Sequence, residues 1–198
     1  MAQVAWVLVE GGEGELHLAD ARIAVRGRDT VFDGAGWSAL LAPGAEAVLA
    51  GDLRWTVVWR ALDGRTLESR VLAPDDVIQE HRGDGSCARL VRTYLPEGAL
   101  IAGETVNPPG GWSSYPPHRH EQEEVYLYRF APPHGFGVTV EYDDDRNDAR
   151  MVRDGSVQRI RRGYHPVVAA PAAAMAYVWV LAGDHDVLTP EFDPAFGA

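Results

Sequence analysis

Apolar residues fall in short runs along the whole chain, each closed by glycine, proline or a charged cluster. In the first third these runs are Val4–Val9, Glu15–Leu18, Ile23–Val25, Trp37–Leu41, Ala47–Leu49 and Leu53–Leu62. Further on they are Arg89–Tyr94, Leu100–Val106, Glu124–Phe130, Gly137–Tyr142, Arg150–Val152, Ser156–Ile160, Val167–Ala169 and Met175–Leu181. Many are rich in β-branched and aromatic residues, which suit a pleated, half-buried surface. Short strands separated by turn residues at this spacing predict an all-β chain of antiparallel sandwiches or barrels. Residues 1–62 read as most of one small β unit. Residues 63–98 are more polar and punctuated by Gly and Pro, and read as a connector ending in a strand, with Pro74-Asp75-Asp76-Val77 opening a short helical turn. Residues 99–183 read as a second β unit. Residues 184–198, rich in Asp and Pro, read as a surface tail.

The chemistry concentrates in one stretch of that second unit, Asn107 to Arg129, NPPGGWSSYPPHRHEQEEVYLYR. On a strand, side chains two apart share a face, so His118 and His120 aim into one cavity. Glu124 follows at an even step and can join them if register is kept. Tyr126 and Tyr128 have the parity of Glu124 and face the same way, whereas Glu123 and Arg129 face the other. His165, in RRGYHP, is a fourth donor. Three imidazoles and a carboxylate suit one divalent ion, Zn, Mn, Fe or Ni, with room left for substrate. Trp112, Ser113, Ser114 and Tyr115 lead into the histidine pair and are placed at the mouth of the barrel. The acidic run Asp143–Asp148 lacks the glycine and glutamate of a calcium loop and reads as a charged hairpin tip. His17, His81, His134 and His185 are isolated and carry no assigned role. The N-terminal half has no paired histidines and is expected to hold no metal.

Composition narrows the function classes. A net charge of −11 and a pI near 5.0 argue against nucleic acid or an anionic membrane as partner. Cys87 is the single cysteine, which allows no disulfide within the chain. No basic leader or spanning apolar segment is visible, so the expected compartment is the cytoplasm. The chain has no lysine, and all 18 basic residues are arginine. Schiff-base catalysis by a side chain is thereby excluded, and an anionic substrate group has to be met by arginine, which clasps carboxylates bidentately.

The order H-x-H, Glu, then Gly155 to His165 resembles the two motifs of the cupin superfamily. More specifically, NPPGGWSSYPPHRH, EEVYLYRF, GFGVTVEYDDDR, VRDGSV and RGYHPVVAAP resemble the 5-deoxy-glucuronate isomerase family of myo-inositol catabolism, whose wider group includes 5-keto-4-deoxyuronate isomerase. The resemblance is dense from Asn107 to about Gly183 and loose before it. It implies a double cupin (bicupin) with a shortened, metal-free N-terminal half and a metal in the C-terminal barrel. His118, His120, Glu124 and His165 would be the ligands. It further implies a metal-dependent aldose–ketose isomerase that converts 5-deoxy-D-glucuronate to 5-dehydro-2-deoxy-D-gluconate. In such a site Tyr126 and Tyr128 are the side chains expected near the reacting carbons, with Trp112 and Tyr115 against the sugar acid. The rival readings are an Fe(II) cupin dioxygenase and a non-catalytic sugar-acid binding protein. A shortened barrel edge would need covering by a partner, and a second copy of the chain, as a homo-oligomer, is one that could do so; the sequence does not set the oligomeric state.

Overall fold

Every regular element in a computed structural model of the chain is a strand, apart from single 3-10 turns at Pro74–Asp76 and Gly85–Cys87. Residues 2–62 and 64–196 are described; Met1, Asp63 at the head of the expected connector, and Gly197 and Ala198 of the expected tail lie outside them. The fold is all-β, as the strand rhythm requires. None of the described helical elements is long and apolar enough to cross a membrane. Two compact units divide the chain at Val77 and Ile78.

The first unit is one five-stranded sheet of β1 (Gln3–Leu18), β2 (Ala21–Val25), β3 (Ser38–Leu41), β4 (Ala47–Ala61) and β5 (Arg70–Leu72). β1 pairs β4 along its whole length on one side, and β2 and β3 share its other side. Two expectations are corrected here. Val4–Val9 and Glu15–Leu18 are one strand, and so are Ala47–Leu49 and Leu53–Leu62 up to Ala61. The glycines read as turns are carried inside the ladder instead: the register shifts between Val9 and Gly11, and Gly14 pairs with Gly51. A bulge absorbs one extra residue without ending a strand, which a turn-based reading cannot foresee. Val9, Leu16, Val25 and Ala39 form the buried centre of this unit.

The second unit contains β6 (Ile78–Arg82), β7 (Arg89–Leu95), β8 (Ile101–Asn107), β9 (Trp112–Ser113), β10 (His118–Arg119) and β11 (Glu123–Ala131). β12 (Phe136–Asp143), β13 (Arg146–Arg153), β14 (Val157–Ile160), β15 (Val167–Ala169), β16 (Ala174–Ala182) and β17 (Glu191–Phe192) complete it. A six-stranded sheet in the order β14-β11-β16-β8-β7-β6 faces a four-stranded sheet in the order β13-β12-β15-β9. Their shared core takes Tyr126, Tyr128, Phe130, Met175 and Tyr177 from the first and Val152, Val167 and Ala169 from the second. The buried parity of β11 is Glu124, Tyr126, Tyr128 and Phe130, as the alternation predicts.

The span 63–98 does end in the expected strand, β7, but the rest of it is not a linker. β5 belongs to the first sheet, while β6 and β7 form the edge of the six-stranded sheet. Gly and Pro punctuate tight β-hairpins as readily as linkers, so composition alone could not separate the two. The tail is likewise partly structured. β17 pairs β10, with His118 opposite Phe192, and the Tyr142 hydroxyl donates to Asp193 Oδ2 at 2.6 Å. The acidic run from Asp143 does form a hairpin tip, closed by the Asp143–Arg146 pair of β12 and β13.

One glycine shows how tightly the six-stranded sheet is packed. Gly103 of β8 lies beside Trp179 of β16, and a Cβ there would overlap both the indole ring and the Arg92 carbonyl. Gly103→Ala is therefore expected to destabilise the fold by about 1–3 kcal/mol through overpacking. A urea titration followed by tryptophan fluorescence reads this directly; an unchanged midpoint would contradict the packing described.

Candidate metal centre

His118 lies on the short strand β10, and the regular strand ends at Arg119. His120 therefore sits in irregular chain, not on a continuous strand as expected, and the two imidazoles converge because the segment bends before β11. Glu124 is the second residue of β11 and points to its buried side. His165 precedes β15 and follows Gly163, whose φ of +87° is a left-handed conformation. A Cβ at position 163 would also come within 2.7 Å of the Tyr142 carbonyl oxygen, so the turn that delivers His165 needs glycine.

Each imidazole has its Nδ1 against a backbone carbonyl two residues away. His118 Nδ1 lies 3.4 Å from Pro116 O, His120 Nδ1 2.9 Å from Gln122 O, and His165 Nδ1 3.0 Å from Gly163 O. A carbonyl only accepts, so Nδ1 carries the proton in all three rings and Nε2 presents its lone pair. This is the orienting contact that metal-binding histidines normally use. The ligand atoms of His118, His120 and His165 lie within 4.8 Å of one another. These three histidines can thus bind a metal ion.

Glu124 Oε2 stands 3.3 Å from Nε2 of both His120 and His165. His165 is buried, and its Nε2 makes no aligned hydrogen bond despite that proximity. A buried ring nitrogen left in this state, facing two other imidazoles and a carboxylate, fits a cation better than a packed core.

The electrostatics are uneven. Burial, reinforced by the neighbouring His165, pushes His118 down to about 4, so it is neutral at physiological pH. Burial alone would raise Glu124, but the adjacent His120 and His165 imidazoles prevail and hold it near 2. At His165 burial acts downward and is outweighed by the adjacent Glu124 carboxylate, which raises the imidazole above its usual value.

A cavity of about 110 Å³ adjoins the ligand set, lined in part by His118, His120, Glu124, Tyr126, Ser114, Tyr177 and Trp179. Tyr126 is buried, its hydroxyl lies 2.9 Å from Ser114 Oγ, and burial raises its pKa well above 10. Tyr128 is also raised by burial but sits deeper in the core, donating to Gln158 at 2.5 Å, and does not line the cavity. Trp112 and Tyr115 also lie outside its lining. Their rings pack edge to face at 6.1 Å, and Tyr115 meets Phe196 at 6.0 Å. Tyr177, Thr105 and Trp179 were not foreseen at the site. They reach it through the pairing of β16 with β8 and β11, a register that no local motif encodes.

A family model described as KduI/IolB matches residues 2–198. The chain belongs to the KduI/IolB family. Among curated relatives, the 5-deoxy-glucuronate isomerase of Geobacillus thermodenitrificans is 38% identical over 133 residues, covering 60% of this chain and 48% of the relative. That of Geobacillus kaustophilus is 39% identical over 133 residues, with 60% and 48% covered. The chain spans about half the length of the curated relatives it matches. Among solved structures, an IolB-like protein of Salmonella typhimurium superposes with a TM-score of 0.91 at 27% identity, covering 99% of this chain and 81% of that one. Oxalate decarboxylase of Lactobacillus farciminis, at 10% identity and TM-score 0.66 over 96% of this chain and 73% of its own, shares the fold.

Two measurements test the centre. Mass spectrometry of the purified KduI/IolB-family chain is expected to find about one divalent metal per chain, lost in His118→Ala. Because the adjacent Glu124 carboxylate raises the proton affinity of metal-free His165, metal uptake in mildly acidic buffer is expected to release protons. Calorimetry in two buffers of different ionisation enthalpy measures that release; none at all would contradict the raised proton affinity of His165.

Proposed function

We propose that the chain is a metal-dependent aldose–ketose isomerase converting 5-deoxy-D-glucuronate to 5-dehydro-2-deoxy-D-gluconate in the cytoplasm. Its fold is read as a double cupin with a shortened N-terminal half, and its ligands as His118, His120, Glu124 and His165. The observation that carries the reading is the set of three histidines whose Nδ1 atoms all face backbone carbonyls, leaving three Nε2 lone pairs turned toward one point. The family match and the isomerase names of the Geobacillus relatives support the substrate class.

The reaction moves the C2 hydrogen to C1 and the hydroxyl hydrogen from O2 to O1 and leaves the formula unchanged, so no oxidant or reductant is needed. His118, His120, Glu124 and His165 would hold a divalent ion, which would supply Lewis acidity toward the carbonyl and the adjacent hydroxyl. The remaining work falls to the chain. Tyr126, protonated because burial holds its pKa well above 10, is suited to donate a hydrogen bond to a substrate oxygen as charge develops there. For the same reason it is a poor base at neutral pH. Ser114, 2.9 Å away, sets the direction of that hydroxyl. Tyr177 and Trp179 exclude water from the wall of the cavity. Tyr128 acts one layer behind, by packing against Tyr126 at a ring separation of 6.0 Å.

Incubating the metal-loaded protein with 5-deoxy-D-glucuronate is expected to produce a growing ketose signal by NMR. Metal binding with no ketose would sink the isomerase reading in favour of a binding protein, and oxygen consumption with added iron would favour a dioxygenase. Tyr126→Phe is expected to lower kcat by about 10²-fold while leaving metal content intact. Tyr128→Phe, which loses a core hydrogen bond to Gln158, should instead cost about 1 kcal/mol of stability with a much smaller change in kcat.

A further inference from the structure

The cavity beside the metal ligands has a cationic wall as well as an aromatic one. Arg82 and Arg89, from the hairpin of β6 and β7, both line it. Arg82 is already engaged by Glu80 through its Nε, at 3.1 Å, and one terminal nitrogen. Arg89 is held differently. Its Nη1 donates to Cys87 O at 2.9 Å and its Nη2 to Tyr115 O at 3.4 Å, and among the described residues no carboxylate pairs with it. Both contacts are to neutral carbonyls, which orient the guanidinium without cancelling its charge. The side chain is half-buried, so its charge is less screened than that of a surface arginine. A guanidinium still offers further N–H donors in a planar fork suited to a carboxylate.

We propose that Arg89 is the carboxylate-recognising residue of this cavity: it takes the acid end of an open-chain sugar acid whose carbonyl end faces His118, His120 and His165. This rests on the isomerase reading and names the residue that selects its substrate class. The two ends of the ligand are thereby told apart. An uncharged aldose could reach the donor set but would leave Arg89 with no anionic partner. The role is one of positioning and specificity, since Arg89 is not assigned to the reacting carbons.

The test uses metal-loaded full-length protein with two probes, D-glucuronate and D-glucose, which differ in the carboxylate. Binding is read by quenching of tryptophan fluorescence, because Trp179 lines the same cavity. The wild type is expected to prefer glucuronate. Arg89→Gln should weaken glucuronate binding by about 10- to 100-fold, the worth of a charge-assisted pair. It should leave glucose binding and metal content unchanged, and Arg89→Lys should recover part of the loss. If the protein turns over 5-deoxy-D-glucuronate, Arg89→Gln should raise KM by the same factor with kcat within about threefold. Equal losses for the acid and the neutral sugar, loss of metal in both variants, or no wild-type preference would overturn the proposal. A wild type that shows the preference, and loses it in Arg89→Gln, yet forms no ketose would uphold Arg89 and overturn the isomerase reading alone.

Discussion

Imidazole rings and a carboxylate at the rim of an aromatic core are tolerated only if their polar atoms are answered, and that constraint shapes the second unit. Unpaired, such groups would each cost a few kcal/mol to bury. The chain answers half of the demand with its own backbone: the carbonyls of Pro116, Gln122 and Gly163 take the three Nδ1 protons. Each of these carbonyls belongs to an irregular residue beside a strand, where its oxygen is not committed to a ladder. The irregular chain around β10, the short span before β11 and the left-handed Gly163 are thus the means by which three rings are turned the same way.

What the backbone does not answer defines the chemistry. The inward nitrogens are left to one another and to Glu124, an arrangement that can take a cation. The opposing shifts of His118 and His165 follow from position: His165 lies against the carboxylate in full burial, while His118 feels mainly desolvation and its neighbour's charge. One carboxylate among three rings leaves the cluster ready for a divalent ion without a large excess of negative charge. The wall above it is aromatic on the side of β11 and β16 and cationic on the side of β6 and β7, an asymmetry suited to a ligand with two unlike ends.

Much of this was legible in the sequence where the information is local. The even spacing from Glu124 through Phe130 predicts one buried face of β11, and the two-residue loop after Asp143 behaves as a hairpin tip. The histidines that gather at the site, His118, His120 and His165, follow from type and order. Reading failed where one residue type serves two purposes. Glycines in β1 and β4 lie within long strands instead of ending them, and the Gly- and Pro-rich span before β7 is hairpin and not linker. Phe192 looks like an isolated apolar residue in an acidic tail, yet its strand pairs with that of His118. Arg89, Tyr177 and Trp179 were missed because pairing between distant strands brings them to the cavity, and pairing register is a property of the folded sheet. Trp112 and Tyr115, close to the histidines in sequence, lie outside the cavity for the same reason.

The donors come from three different sheets. His118 belongs to the small β10–β17 ladder, Glu124 to the six-stranded sheet, and His165 to the approach to β15 in the four-stranded one. An ion shared among them would act as a cross-brace between layers that also meet through side-chain packing and through hydrogen bonds such as Gln158 to Glu141. Release of the ion and local opening of the barrel rim then become parts of a single fluctuation, governed by one free energy. Slow amide exchange around residues 118–124 and 163–169 would rise and fall with occupancy, making the rim a mechanical gauge of whether an ion is bound.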